Sequence, residues 1–77
     1  MPIVEVVTIK STSLARVAYD HQCATLTVEF RDGTAYQYDG VPLETFVDLV
    51  RANSKGAYFN KNIRARFPYS VARKLLD

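Results

Sequence analysis

The chain has few cysteines and glycines and no long apolar run, and each scarcity excludes a class of protein. Cys23 is the single cysteine, so no disulfide can form within the chain, which suits a reducing compartment. The three glycines are dispersed, which excludes a glycine-rich phosphate loop. No apolar stretch approaches the roughly 20 residues of a membrane-spanning helix, and the first residues do not resemble a signal peptide. We therefore expect a cytoplasmic protein without membrane association.

Candidate catalytic and metal-binding residues are also scarce. His21 and Cys23 are the single histidine and cysteine, whereas a structural zinc site takes four ligands. No group that would orient them as a nucleophilic pair is evident. Glu44 and Asp48 are four residues apart in a predicted helix, which is typical of a solvated face. We expect a non-enzymatic domain with no metal ion and no cofactor.

The size and composition predict one small globular domain over residues 1–77. The chain is 48% hydrophobic and 23% charged. Its charge is unevenly distributed: residues 1–50 carry three basic and seven acidic side chains, and residues 51–77 carry seven basic and one acidic. The basic part either attracts phosphates or an acidic partner, or it neutralises the acidic part within the fold.

The first half of the chain has the alternation of β-strands. Residues 3–9 are rich in β-branched side chains, residues 14–19 are a weaker strand, and residues 24–30 alternate strictly between apolar and polar. Asp32-Gly33 then predicts a hairpin turn, with residues 34–38 as the return strand.

The hairpin loop decides which face of the sheet carries Tyr36 and Tyr38. A two-residue loop places both on the face opposite Leu26 and Val28. A three-residue loop with Gly33 in a left-handed conformation places them on the same face as Leu26 and Val28, and we favour it because it buries two large aromatic rings. The sequence leaves both registers open.

Two short helices are predicted after the hairpin. The first begins near Pro42, at the first helical position, and has an apolar stripe formed by Leu43, Phe46, Val47 and Val50. The second spans residues 55–64, with Ser54 as its N-cap. Residues 67–69 predict an interruption of regular secondary structure, and Ser70 is the predicted cap of a final turn through Leu75. The predicted fold is α+β, a β-meander of three to four strands with two short helices packed on it.

The basic segment from Arg51 to Arg66 is the best candidate for a functional surface. Its cations alternate with aromatic and asparagine side chains, as in proteins that bind phosphates and unpaired bases. The alternative is that the aromatic residues belong to the core and the charges only solubilise the domain. The candidate nucleic-acid-binding residues are Lys55, Lys61, Arg64 and Arg66, together with Tyr36 and Tyr38 if they are exposed.

Several of these segments, taken in order, resemble the KTSC domain family. The resemblance covers about residues 11–69 and is carried by residues 11–20, 26–33, 36–38, 40–42, 54–60 and 63–64. The family is found as a stand-alone bacterial protein and at the C-terminus of some lysyl-tRNA synthetases, which implies a link to RNA. The resemblance implies no catalytic residues. We expect a module that binds RNA or single-stranded nucleic acid; the alternative is a module that binds a protein partner or itself.

Overall fold

The computed structural model describes residues 4–72 as a five-stranded antiparallel sheet with its helical segments on one face. The strands pair in sequence order. Along the chain, the helices follow the fourth strand and precede the fifth. The predicted α+β meander is confirmed, with five strands rather than three to four. The elements are β1 (Val4–Thr8), β2 (Leu14–Asp20), β3 (Thr25–Phe30), β4 (Ala35–Tyr38), α1 (Leu43–Arg51), α2 (Lys55–Phe59), a π-helical turn (Asn60–Arg64) and β5 (Tyr69–Ala72).

The fifth strand corrects the prediction of a final turn capped by Ser70. Residues 69–72 are extended and pair with β4, with Tyr69 opposite Tyr38. The alternation of aromatic and β-branched side chains with small ones favours a strand here, and β4 offers the edge on which it pairs. Leu75, at the end of the predicted turn, lies outside the described residues.

The β3–β4 hairpin has the three-residue loop. The amide of Phe30 donates to the carbonyl of Thr34 at 2.8 Å, and the amide of Gly33 donates to the carbonyl of Phe30 at 3.0 Å. Gly33 has a φ of +94°, which an L-residue adopts only with strain. The Asp32 carboxylate accepts from the backbone amide of Thr34 at 3.0 Å and from its hydroxyl at 2.7 Å, and these bonds lower the pKa of Asp32.

This loop sets the favoured register of the hairpin. Val28 lies opposite Tyr36, and Leu26 lies opposite Tyr38, so both tyrosines share the face of the apolar β3 residues. A two-residue loop would have turned the tyrosines to the other face. The hairpin loop therefore determines where the aromatic side chains of β4 lie.

The helices cover this same face and close the core. In α1, Phe46 and Leu49 are buried, whereas Leu43, expected in the buried stripe, is 48% exposed at the start of the helix. Pro42 is the N-cap rather than the first helical residue. Ser54 caps α2 as predicted, since its hydroxyl accepts from the amide of Ala57 at 3.3 Å. The buried core cluster comprises Ile9, Leu14, Val17, Tyr19, Leu26, Val28, Tyr38, Val41, Phe46, Leu49, Phe59 and Ile63.

The opposite face of the sheet carries no helix in the described part of the chain. Arg16 and Glu29, paired across β2 and β3, form a two-pronged ion pair there, with distances of 2.7 Å and 3.0 Å. The hydrogen bonds from Arg16 lower the pKa of Glu29. The rest of this face carries threonines, a glutamine and small or aliphatic side chains, among them the exposed Val4 and Val6, so it has few of the aromatic side chains that stack on bases.

Candidate nucleic-acid interface

Five aromatic rings form a cyclic series of contacts where β3, β4, β5 and α2 meet. Each ring contacts two others, with ring centres between 5.4 Å and 5.9 Å apart and mostly edge-to-face. Such contacts contribute about 0.5–1.5 kcal/mol each beyond the area that they bury. The aromatic cluster comprises Phe30, Tyr36, Tyr38, Phe59 and Tyr69.

The cluster is buried on one side and open on the other. Phe59 is 1% exposed and Tyr38 is 3% exposed, so these two rings form the buried side. Tyr36 is half-buried, and Tyr69 on the edge strand is 62% exposed. The open side therefore presents two tyrosines to solvent.

Arg64 joins these tyrosines at a cleft of about 370 Å³. The cleft is lined by Arg64, the aromatic cluster without Phe59, and the hairpin residues Asp32 and Thr34. Burial raises the pKa of the Tyr38 hydroxyl, and the positive charge of Arg64 opposes that rise, which places Arg64 within electrostatic range of Tyr38. The cleft combines aromatic surface, one guanidinium group and the polar groups of a turn.

The structure thus brings together three of the six candidate residues: Tyr36, Tyr38 and Arg64. The two tyrosines are candidates only if they are exposed, and Tyr36 is partly exposed. Tyr38 does not meet this condition, because its ring is 3% exposed and packs against Phe59 and Tyr69. Tyr38 therefore contributes to the wall of the cleft, whereas Tyr36 is the β4 tyrosine that is partly open to solvent.

The other three candidate cations lie away from the cleft. Lys61 is exposed on the π-helical turn. Lys55 is half-buried and donates to the carbonyl of Ala52 at 2.9 Å. Arg66 lies toward α1. Burial and the negative charges of Asp48 and Glu44 in α1 raise the pKa of Tyr58, and the positive charge of Arg66 opposes that rise. The basic segment is therefore divided among several surfaces.

Four residues of the cleft are not among the candidates from the sequence: Phe30, Asp32, Thr34 and Tyr69. Tyr69 is absent because residues 67–69 predict a break in regular structure. The alternation of Tyr69 and Val71 with small residues was the available signal for a strand. Arg31 was also missed. Its guanidinium donates to the carbonyls of Ser11 at 2.6 Å and Ile9 at 3.2 Å, which fixes the β1–β2 loop against the hairpin.

His21 and Cys23 have separate surroundings in the structure. The imidazole of His21 lies 3.0 Å from the Glu5 carboxylate and edge-on to the ring of Tyr19, and Cys23 is exposed in the turn before β3. Among residues 4–72, no three histidine, cysteine or carboxylate side chains are grouped closely enough to hold a metal ion. No helix in the same range has the length and apolar character to cross a membrane.

Comparisons with known proteins identify relatives of two kinds. A lysine–tRNA ligase of Nostoc punctiforme is 39% identical over 56 residues, which is 73% of this chain and 10% of the ligase. An uncharacterized protein of Stutzerimonas stutzeri is 40% identical over 55 residues, which is 71% of this chain and 78% of that protein. The chain thus spans about a tenth of the length of the ligases that it matches.

A solved structure and a family model agree with these relatives. The crystal structure of a KTSC domain protein from Yersinia pestis matches with a TM-score of 0.85 and 27% identity, covering 91% of this chain and 99% of that one. The model of the KTSC domain matches residues 10–67, close to the limits of the resemblance in the sequence. The chain belongs to the KTSC domain family.

Proposed function

We propose that this domain binds single-stranded RNA at the cleft between β4, β5 and the π-helical turn. One observation carries the proposal: the exposed Tyr69 and the half-buried Tyr36 share an opening with Arg64. Single-stranded RNA is typically recognised by stacking its unpaired bases on aromatic rings or guanidinium groups. The tyrosines would receive a base, and Arg64 would bind the adjoining phosphate.

The size and polarity of the cleft fit this ligand. Its volume of about 370 Å³ lies within the range of pockets that accept small molecules, so it can hold one base. Asp32 and Thr34 at the same opening offer hydrogen-bonding groups for the edge of a base. Because a carboxylate repels phosphate, the base belongs beside Asp32 and the phosphate beside Arg64.

The relatives also support an RNA ligand. The ligases that contain a similar segment are named for lysine and tRNA. Occurrence in such an enzyme does not assign a function to the segment, so the proposal rests on the cleft. Lys61 and Arg66, which lie outside the cleft, would add long-range attraction to the RNA backbone.

The test is a titration of a labelled single-stranded RNA and of a duplex of equal length, at several salt concentrations. We expect the single strand to bind more tightly, with an affinity that falls as salt rises. Tyr69→Ala removes one stacking surface and should weaken binding by about 1–3 kcal/mol. Arg64→Gln should weaken binding more than Arg51→Gln, which removes the same charge from the end of α1, away from the cleft.

Circular dichroism would establish that each variant is folded. Absence of binding at low salt, or a preference for the duplex, would refute the proposal. Equal affinity of Tyr69→Ala, Arg64→Gln and the unaltered protein would show that any RNA binding lies elsewhere.

The exposed edge strand supports a second candidate function, self-association. β5 has one neighbouring strand in the described part of the chain, and its side chains Tyr69 and Val71 are 62% and 77% exposed. Residues 69–72 contain no charged side chain and no proline, the features that usually prevent an edge from pairing. Sedimentation velocity should then show a dimer that Val71→Lys converts to monomer; a monomer at high concentration would exclude this function.

A further inference from the structure

Two further openings adjoin the cleft through shared lining residues. A second opening shares Phe30 and Asp32 with the cleft and continues to Thr12 and Ser13. A third opening shares Thr12 and Ser13 and continues to the residues that precede and begin α2. We call this series of openings the groove, and its third opening the polar end.

The polar end differs in chemistry from the cleft. It has a volume of about 480 Å³ and contains no aromatic side chain and no carboxylate among its lining residues. Lys10 and Lys55 lie in its wall, and serine, threonine and asparagine side chains make up most of the remainder. The Lys55 ammonium donates one hydrogen bond to the carbonyl of Ala52, which leaves two protons for a ligand. Two cations among neutral donors suit an anion with several oxygen acceptors.

The walls of the polar end are held in place by contacts within the fold. The backbone amide of Arg31 donates to the carbonyl of Ser13 at 2.9 Å, and its side chain binds the carbonyls of Ser11 and Ile9. On the opposite wall, Gly56 approaches the loop so closely that an added Cβ would lie 3.3 Å from the Ser13 hydroxyl oxygen. An ordered loop reduces the entropy that is lost when a ligand binds.

We propose that the polar end binds backbone phosphates of the same RNA strand whose base occupies the cleft. The strand then follows the groove, with its base at the tyrosines and its phosphates at Lys10 and Lys55. This inference rests on the proposed function and deepens it, because it adds a second contact region and a minimum ligand length. The smallest sites of OB-fold domains take about four nucleotides, and we expect a strand of at least about that length to be needed to contact both ends.

The test compares two double variants that lose the same charge. Lys10→Gln with Lys55→Gln neutralises the polar end, whereas Lys61→Gln with Arg51→Gln neutralises two cations that do not line the groove. Each is titrated with single-stranded RNA of eight nucleotides and with uridine monophosphate. Lys10→Gln alone serves as a further variant, because Lys10 is exposed, and its substitution leaves the contact between Lys55 and Ala52 intact.

For the octamer, we expect the groove variant to lose about tenfold in affinity and to reduce the slope of log K against log salt by about 1–2. The control should lose about threefold or less. The mononucleotide should bind the groove variant as it binds the unaltered protein, because it occupies the cleft alone. Lys10→Gln should show an intermediate loss for the octamer.

The outcomes separate this inference from the proposed function. If Tyr69→Ala and Arg64→Gln weaken RNA binding but the groove variant equals its control, the cleft binds RNA and the polar end does not. The inference then fails alone. If the unaltered protein binds neither ligand at low salt, both proposals fail.

Discussion

Tyr19 and Tyr36 lie on the same face of one sheet, and their surroundings differ. Tyr19 is 2% exposed, its ring stacks on Phe46 at 4.9 Å, and its hydroxyl donates to the carbonyl of Val41 at 2.6 Å. Tyr36 is half-buried and meets Tyr69 edge-on at 5.5 Å. We call the part of this face around Tyr19, under α1, the closed centre, and the part along β4 and β5 the open end.

The comparison shows that burial by neighbouring side chains, rather than residue type, separates a structural tyrosine from a candidate binding tyrosine. In the closed centre, helix side chains cover the ring, and a carbonyl group accepts the hydroxyl proton, so all of Tyr19 contributes to stability. At the open end, Tyr69 remains 62% exposed. Substitutions in the two regions should therefore divide into those that lower stability and those that lower binding.

The largest expected effect on stability is at Phe59, the buried floor of the aromatic cluster. Phe59→Ala removes a ring that is 1% exposed and contacts Phe30 and Tyr38, so we expect a loss of about 3–5 kcal/mol in the free energy of unfolding. Tyr69→Ala should cost about 0.5 kcal/mol or less, because Tyr69 is largely exposed. Urea denaturation followed by circular dichroism measures both.

A loss of 3–5 kcal/mol can unfold a domain of this size, so Phe59→Leu is the variant to measure if Phe59→Ala does not fold. The free energy of unfolding of Phe59→Leu should lie between those of Phe59→Ala and the unaltered protein. Equal losses from Tyr69→Ala and Phe59→Leu would show that the exposed side of the aromatic cluster is as well packed as its buried side, and burial would then not separate the two kinds of residue.

A smaller effect is expected from the removal of one hydroxyl group. Tyr19→Phe leaves the buried carbonyl of Val41 without its donor, which should cost about 1–3 kcal/mol. Tyr36→Phe is the matched control, because its hydroxyl forms no hydrogen bond with any described residue, and it should change stability by less than about 0.5 kcal/mol. Thermal unfolding of the two variants under identical conditions tests the difference. Similar losses would contradict the assignment of the Tyr19 hydroxyl to the core.

The next effect concerns the hairpin loop on which the open end depends. Gly33→Ala should cost about 1–2 kcal/mol, because Gly33 has a φ of +94°. An added Cβ would meet no atom within 4 Å, so the loss would come from the backbone alone. Gly33→Asn should lose less, because asparagine tolerates left-handed conformations better. If Gly33→Ala is as stable as the unaltered protein, the loop has another conformation and the register is not held by this glycine.

Alternation and turn residues were enough to predict β3, the hairpin and the helical segments, because these depend on local sequence. The three-residue loop was favoured over the two-residue loop because two aromatic rings had to be buried, which is an argument about the whole domain. The position of β5 depends on the free edge of β4, which is a tertiary feature. Arg64 and Tyr69 are close in sequence, but only the pairing of β5 with β4 brings Tyr69 beside Tyr36 and Arg64.

The smallest expected effect is on the way stability changes at alkaline pH. It is a separate test of the closed centre. Burial raises the pKa of the hydroxyls of Tyr19 and Tyr38 above the ordinary value of about 10. Above that value, the unfolded chain releases phenolic protons that the folded protein retains, so stability present below pH 10 is lost as the pH rises. Urea midpoints between pH 9 and pH 11, as an approximate range around that pKa, should fall less steeply for Tyr19→Phe than for the unaltered protein. Identical slopes would show that Tyr19 does not contribute.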